Sequence, residues 1–227
     1  MTDIHRLTGL TPSFTAEEEA YSHILQRIRS GRYGAGDRLI PEEIATEIGT
    51  SRMPVREAFR RLATEGLVDI RPHRGAVVRK LSTAEMVEVF HMRAVLEGLA
   101  ARVAFSTIQE KHIAVLEDLI RQMELAEADV QEWVSLHRQF HEYLCSLSHN
   151  PRLMRQISSL HSVVEPHMRL WLEKSDRPHR SRSAHGYIID ALRAGPAEEV
   201  EKVLRQHAER TIASLEKFMA PDAPRSA

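Results

Sequence analysis

The chain has 227 residues, 42% of them hydrophobic and 28% charged, and a formal net charge of −1. That balance excludes wholesale disorder, a collagen repeat and a coiled-coil rod; because the chain is no polycation, a nucleic-acid site must come from local segregation of charge. No apolar run reaches the roughly 18 residues of a membrane span. The opening MTDIHRLTGL has no apolar signal core, and the one cysteine, Cys145, cannot close an internal disulfide, so a cytoplasmic chain without membrane attachment is expected.

Along the chain, residues 1–14 read as a flexible arm. A helix is predicted from Thr15 to about Ser30, with Glu17–Glu19 favourable in its first turn, ended by Gly31, Gly34 and Gly36. Leu39-Ile40 reads as a short strand. Pro41 opens a second helix that stops at Gly49, and Ser51 is placed to cap a third, running to about Glu65. Val68–Arg71 and Ala76–Arg79 read as strands joined by Pro72-His73-Arg74-Gly75. Lys80-Leu81-Ser82 reads as a linker. Six helices follow at 83–106, 109–127, 130–148, 151–173, 178–194 and 196–219, then a frayed tail at 220–227. The expected fold is mainly α: a DNA-binding unit over 15–79 and an antiparallel six-helix bundle over 83–219.

Charge is segregated. Residues 15–50 carry four basic and seven acidic side chains, whereas residues 51–80 carry eight basic and three acidic ones. On the third helix Val55, Ala58, Phe59 and Leu62 fall at i, i+3, i+4 and i+7, a buried stripe. Arg52, Arg56 and Arg60 recur every four residues beside it. An arginine fork can grip guanine O6 and N7, or a phosphate, with two hydrogen bonds. The hairpin would bring Arg71, His73 and Arg74 alongside, with Gly75 allowing close approach of the backbone. A solvated arginine face gives the same pattern, so periodicity alone leaves both readings open.

The wording decides between them. The segment from Ile28 to Val78 resembles the winged helix-turn-helix of the GntR superfamily of bacterial transcription regulators. GxYxxGxxL (from Gly31), SRMPVREAFRRL and EGLV…RGAVV follow that family's order and spacing. The resemblance implies that Ser51, Arg52 and Arg56 meet DNA from the recognition helix and that Arg74 and Gly75 form the wing tip. Glu42 also falls at a position that contacts DNA in some members; being acidic, it is not counted as a phosphate ligand.

In the bundle, wheel arithmetic turns His137 and His141 inward among Val130, Trp133, Val134 and Leu144. His185 lies with Ile188, Ile189 and Leu192, and His207 with Val200, Val203, Leu204 and Phe218. Imidazoles from three helices can converge on a divalent transition metal, Zn²⁺ or Ni²⁺ most comfortably. They can equally be hydrogen-bonded core residues, and His91 and His161 fall on apolar stripes by the same arithmetic.

This half resembles the FCD effector domain of the FadR-like branch, in its six-helix VanR-like version. The carrying motifs are FxxRxxLE (Phe90, Arg93, Glu97), LHRQFHEYLCSLSHNPRL, AHGYIIDALRAG and QHAE. In metal-binding members one Asp and three His hold the ion. His141, His185 and His207 fall on the three histidine positions, and His137 stands where Asp is usual, which puts the identity of the ion in doubt. The resemblance further implies an effector carboxylate at the ion, with Arg93 as a second contact; the alternative for Arg93 is an i,i+4 salt bridge with Glu97. Cys145 lies one turn past His141, where a small buried thiol is the default.

The expected protein is a homodimeric, ligand-responsive regulator of double-stranded operator DNA, a repressor released by a small organic acid. A direct metal sensor is the second reading. A metal-assisted hydrolase is the third, and it lacks HExxH-like spacing, a nucleophile elbow and a phosphate-cradling loop.

Overall fold

The computed structural model describes residues 15–174 and 181–219. The predicted arm over 1–14 and the tail over 220–227 lie outside them.

Helix α1 (Ala16–Arg29) starts at a capping box: Thr15 accepts from the Glu18 amide while the Glu18 carboxylate takes the Thr15 N–H. Strand β1 (Arg38–Leu39) sits one residue earlier than expected, because Ile40 turns out of the sheet to become the extended residue before α2 (Pro41–Glu47). Helix α3 (Arg52–Thr64) buries Val55, Ala58, Phe59 and Leu62 against α1, as the periodicity predicts. Fully burying a side chain such as Leu62 contributes roughly 1.5–3 kcal/mol. Strands β2 (Val68–Arg71) and β3 (Gly75–Val78) complete an antiparallel sheet of order β1-β3-β2, with Leu39 opposite Ala76 and Arg71 opposite Gly75.

Gly75 has a structural reason beyond the one expected. Its φ is +84°, and a Cβ there would lie 2.2 Å from the Leu39 carbonyl oxygen and 2.9 Å from Pro41 Cδ. The glycine is needed so that the wing closes onto β1, whatever approaches from outside.

Six helices follow: α4 (Thr83–Ala104), α5 (Glu110–Leu125), α6 (Val130–Ser146), α7 (Pro151–Lys174), α8 (Ser181–Ala194) and α9 (Ala197–Met219). A 3₁₀ turn at Phe105–Thr107 ends α4 early. Ser82 and Glu85 form a second capping box at the head of α4. Helix α4 packs closely along α9 because Gly98 leaves no side chain between them; a Cβ there would meet Arg205 Cγ at 3.0 Å and the Glu201 carbonyl at 3.1 Å. The core of α5, α6, α8 and α9 is apolar and includes Met123, Phe140, Leu144, Ile188 and Leu204.

Helix α7 touches both halves of the molecule. Its Arg169 Nη1 donates to the Ile28 carbonyl at the end of α1 (3.1 Å), and Arg29 Nε of α1 donates to Ser162 Oγ of α7 (2.9 Å). The linker is held as well: the Leu81 amide donates to His167 Nε2 at 2.8 Å. Pro166 sits inside α7 and removes one rung of its ladder beside these contacts.

Candidate nucleic-acid interface and metal centre

The first site is the outer face of α3 and the wing. Arg52, Arg56 and Arg60 are exposed along α3, as are Arg71, His73 and Arg74 at the hairpin. A cleft of about 300 Å³ between them is lined by Arg38, Glu42, Arg56, Arg60, Arg71 and Arg74, among others. Arg38, missed from sequence, donates from Nε to the Arg74 carbonyl at 3.2 Å and so braces the hairpin. Its signal was alternation: on β1, Leu39 is buried and Arg38 exposed. Ser51 occupies the residue before α3 with extended backbone, but its side chain makes no capping bond. The expected cap is therefore absent, and Ser51 is exposed. Arg52 Nη1 meets Glu42 Oε1 at 2.9 Å across the turn between α2 and α3.

The second site lies in the bundle. His137 and His141 of α6, His185 of α8 and His207 of α9 are all buried, and each offers a nitrogen such that the four lie within 4.8 Å of one another. Helical spacing puts His137 and His141 one turn apart with ring centroids 4.6 Å apart, and Trp133 stacks on His137 at 5.0 Å. Burial, reinforced by the neighbouring imidazoles, holds His137 and His207 well below the usual histidine range. Neutral rings have lone pairs to give.

Two further groups act on these rings. His141 Nδ1 lies 2.7 Å from Glu97 Oε2, and His141 Nε2 is buried with no hydrogen-bond partner. His207 Nδ1 is 3.0 Å from the Tyr187 hydroxyl. Nδ1 of His141 and Nδ1 of His207 thus each lie against an oxygen outside the ring cluster, and neither nitrogen of His141 makes an aligned hydrogen bond. That arrangement fits a metal ion, since a ligating histidine usually donates its second N–H to a carboxylate or another oxygen. Buried polar groups are normally hydrogen-bonded, so the unpartnered nitrogen of His141 beside three other imidazoles is consistent with a ligand position.

Glu97 is the hub behind the rings. Its carboxylate takes Arg93 Nε at 2.8 Å and lies 3.1 Å from His161 Nε2. Burial alone would raise its pKa, but Arg93, His141 and His161 outweigh that and hold it well below the usual range. Burial and Arg93 push His161 down to about 4. Arg93, 2% exposed, thus makes the i,i+4 bridge to Glu97, and its Nη1 is buried with no hydrogen-bond partner. Neither Glu97 as a ring partner nor Tyr187 was foreseen; both relations cross between helices, and no single-helix pattern carries them. His91 departs from the wheel arithmetic and is exposed. Cys145 packs with Ala100 and Ile157, and burial raises its thiol.

Fold and sites together define a DNA-binding transcription regulator with an all-helical second unit. Two family models match: "Bacterial regulatory proteins, gntR family" over residues 16–78 and "FCD domain" over residues 88–210. The chain belongs to the GntR family of transcription regulators, in its FCD-bearing form. It is 33% identical to the "Probable D-xylose utilization operon transcriptional repressor" of Paenarthrobacter nicotinovorans, over 85% of each chain. It is 28% identical to the "HTH-type transcriptional repressor RspR" of Escherichia coli K12, over 92% of each. A GntR structure from Rhodococcus sp. RHA1 superposes with a TM-score of 0.69 at 27% identity, covering 88% of this chain and 97% of that one. The E. coli McbR/YncC structure shares the fold with a TM-score of 0.79 at 22% identity, covering 90% and 98%. The families and relatives that match are DNA-binding transcription regulators. Among the described residues no helix is long and apolar enough to cross a membrane.

Proposed function

We propose that this regulator is a cytoplasmic homodimeric repressor that reads operator DNA through Ser51, Arg52, Arg56, Arg74 and Gly75. In this reading it is released when a small organic acid binds at a divalent metal, Zn²⁺ or Ni²⁺, held by His137, His141, His185 and His207. The observation that carries the reading is the convergence of four buried imidazoles, with the Nε2 of His141 unpartnered. When bound, the ion supplies a Lewis-acidic centre for a carboxylate. Glu97 and Tyr187 orient His141 and His207, and Arg93 Nη1 offers a charged donor to the same anion. With histidine where aspartate is usual, the four ligands bring no negative charge, which favours borderline metals over Mg²⁺ or Ca²⁺.

The coupling route is α7. His161 abuts Glu97 behind the rings, and on the same helix Ser162 and Arg169 hold α1. A shift at Glu97 can bias the seating of the DNA-binding unit only by the effector's difference in affinity for the two seatings. The outward face of α4 carries half-exposed Met92, Val95 and Val103, an apolar strip suited to a second copy. Two copies would read an inverted repeat.

The test is dialysis against chelator, then operator titrations with Zn²⁺ or Ni²⁺ alone and with carboxylates added. Affinity that falls only when metal and acid are both present supports the reading. Affinity toggled by metal alone makes the protein a direct metal sensor, and tight binding of neither ion overturns the metal site.

A further inference from the structure

A carboxylate stands in the middle of the arginine-rich face. Glu42, the second residue of α2, has its side chain 54% exposed, and Arg52, the first residue of α3, has its side chain 64% exposed. Among the described residues neither side chain hydrogen-bonds to any residue other than its partner and Glu42's own backbone, and the bond between the two runs from Nη1 to Oε1 at 2.9 Å. The bond from Arg52, then the Glu42 backbone and the charge of Arg56, hold the carboxyl below its usual range, so it is ionised wherever the protein works. An exposed pair of this kind does little for stability. On a surface that must approach phosphates it opposes docking. Neither effect explains its place beside Arg56, Arg60, Arg71 and Arg74 in the cleft.

Geometry does. Glu42 engages one terminal nitrogen of Arg52 and leaves Nε and Nη2 free. That remaining edge is a two-donor fork of the kind that matches N7 and O6 of guanine. The long arginine side chain carries much rotamer entropy, and holding it by one corner before DNA arrives lowers the cost of a bidentate contact. The same negative charge penalises every sequence on which Arg52 finds only a phosphate, which is how discrimination against wrong sites is built.

We propose that Glu42 is a specificity-setting positioning residue: it fixes Arg52 by Nη1, presents the Nε–Nη2 edge to one guanine of each half-site, and weakens docking on other sequences. This goes beyond the DNA-binding function of the family, because it assigns a role to an acidic group that phosphate contact cannot explain.

The test selects bound sequences from a random duplex library with the full-length protein. Fluorescence anisotropy then measures the selected site and a scrambled duplex at several salt concentrations, for wild type, Glu42→Gln, Arg52→Ala and the double variant. Glu42→Gln is expected to lower the preference for guanine at one position per half-site, by on the order of tenfold. It is also expected to tighten scrambled-duplex binding and to steepen the salt dependence by about one unit of slope. In the Arg52→Ala background the same change should leave base preference untouched. Unaltered preference and scrambled-duplex affinity in Glu42→Gln would overturn the proposal. So would a Glu42→Gln effect on preference that persists in full without Arg52, since Glu42 would then read a base itself. Equal melting temperatures of wild type and Glu42→Gln serve as the check on folding.

Discussion

The two charged regions are built on opposite terms. On α3 and the wing, guanidiniums stand in solvent with few protein partners. In the bundle, Arg93 is 2% exposed and locked to Glu97, and His141 and His207 lie against Glu97 and Tyr187 through their Nδ1 atoms. A surface made for a large polyanion keeps most of its donors free, with Arg52 held by Glu42 at one corner only, because the partner supplies the counter-charge on arrival. A site made for a small ion must be preorganised, because a buried charge without a partner is costly. The same residue type, arginine, is therefore a candidate contact at 52 and 56 and a structural charge first at 93.

That contrast can be broken by mutation, and the largest effect belongs to the buried region. His141→Ala with His207→Ala should take zinc from one equivalent per chain to none by elemental analysis, with operator binding still measurable; full metal retention in the double variant would remove these residues from the ligand set. Glu97→Gln keeps the shape of the hub but loses its charge, and zinc affinity by calorimetry should fall about 10–100-fold; an unchanged affinity would reduce Glu97 to a packing residue. On the exposed side, Arg52→Ala or Arg56→Ala should each weaken operator binding by roughly 1–3 kcal/mol if a base-edge contact is lost. Their melting temperatures should not move, since both side chains are exposed, and a large drop would mean that α3 needs them to fold.

A smaller effect comes from pH in metal-free protein. His161 is pushed down to about 4, and His137 and His207 are also lowered, so the unfolded chain binds protons that the folded one refuses. Histidines depressed in this way leave stability intact above about pH 6.5 and remove it as pH falls below that value. At pH 5.5 His161 alone should cost roughly 1 kcal/mol. Thermal unfolding of the apoprotein between pH 7.5 and 5 measures this, and a flat profile would contradict the burial of neutral rings.

Legibility in the sequence followed the range of each interaction. The stripe of Val55, Ala58, Phe59 and Leu62 and the inward turn of His137, His141, His185 and His207 were readable, because each depends only on period within one helix. The Arg93–Glu97 bridge was readable for the same reason. What crosses between elements was not: the Glu97 carboxylate reaching His141 and His161, Tyr187 meeting His207, and Arg169 clasping the carbonyl of Ile28. His91 shows the limit within a helix, since an apolar-looking neighbourhood on α4 did not bury it. Gly75 shows that a position marked for one reason can carry a second, unforeseen one, namely the Leu39 carbonyl behind it.

The most direct test measures zinc content and operator affinity on the same samples of wild type, Arg52→Ala/Arg56→Ala and His141→Ala/His207→Ala. Two separate sites predict that the arginine variant keeps its zinc and loses the operator, while the histidine variant loses its zinc and still binds DNA. Zinc retained by the histidine variant, or operator affinity retained by the arginine variant, would contradict the account.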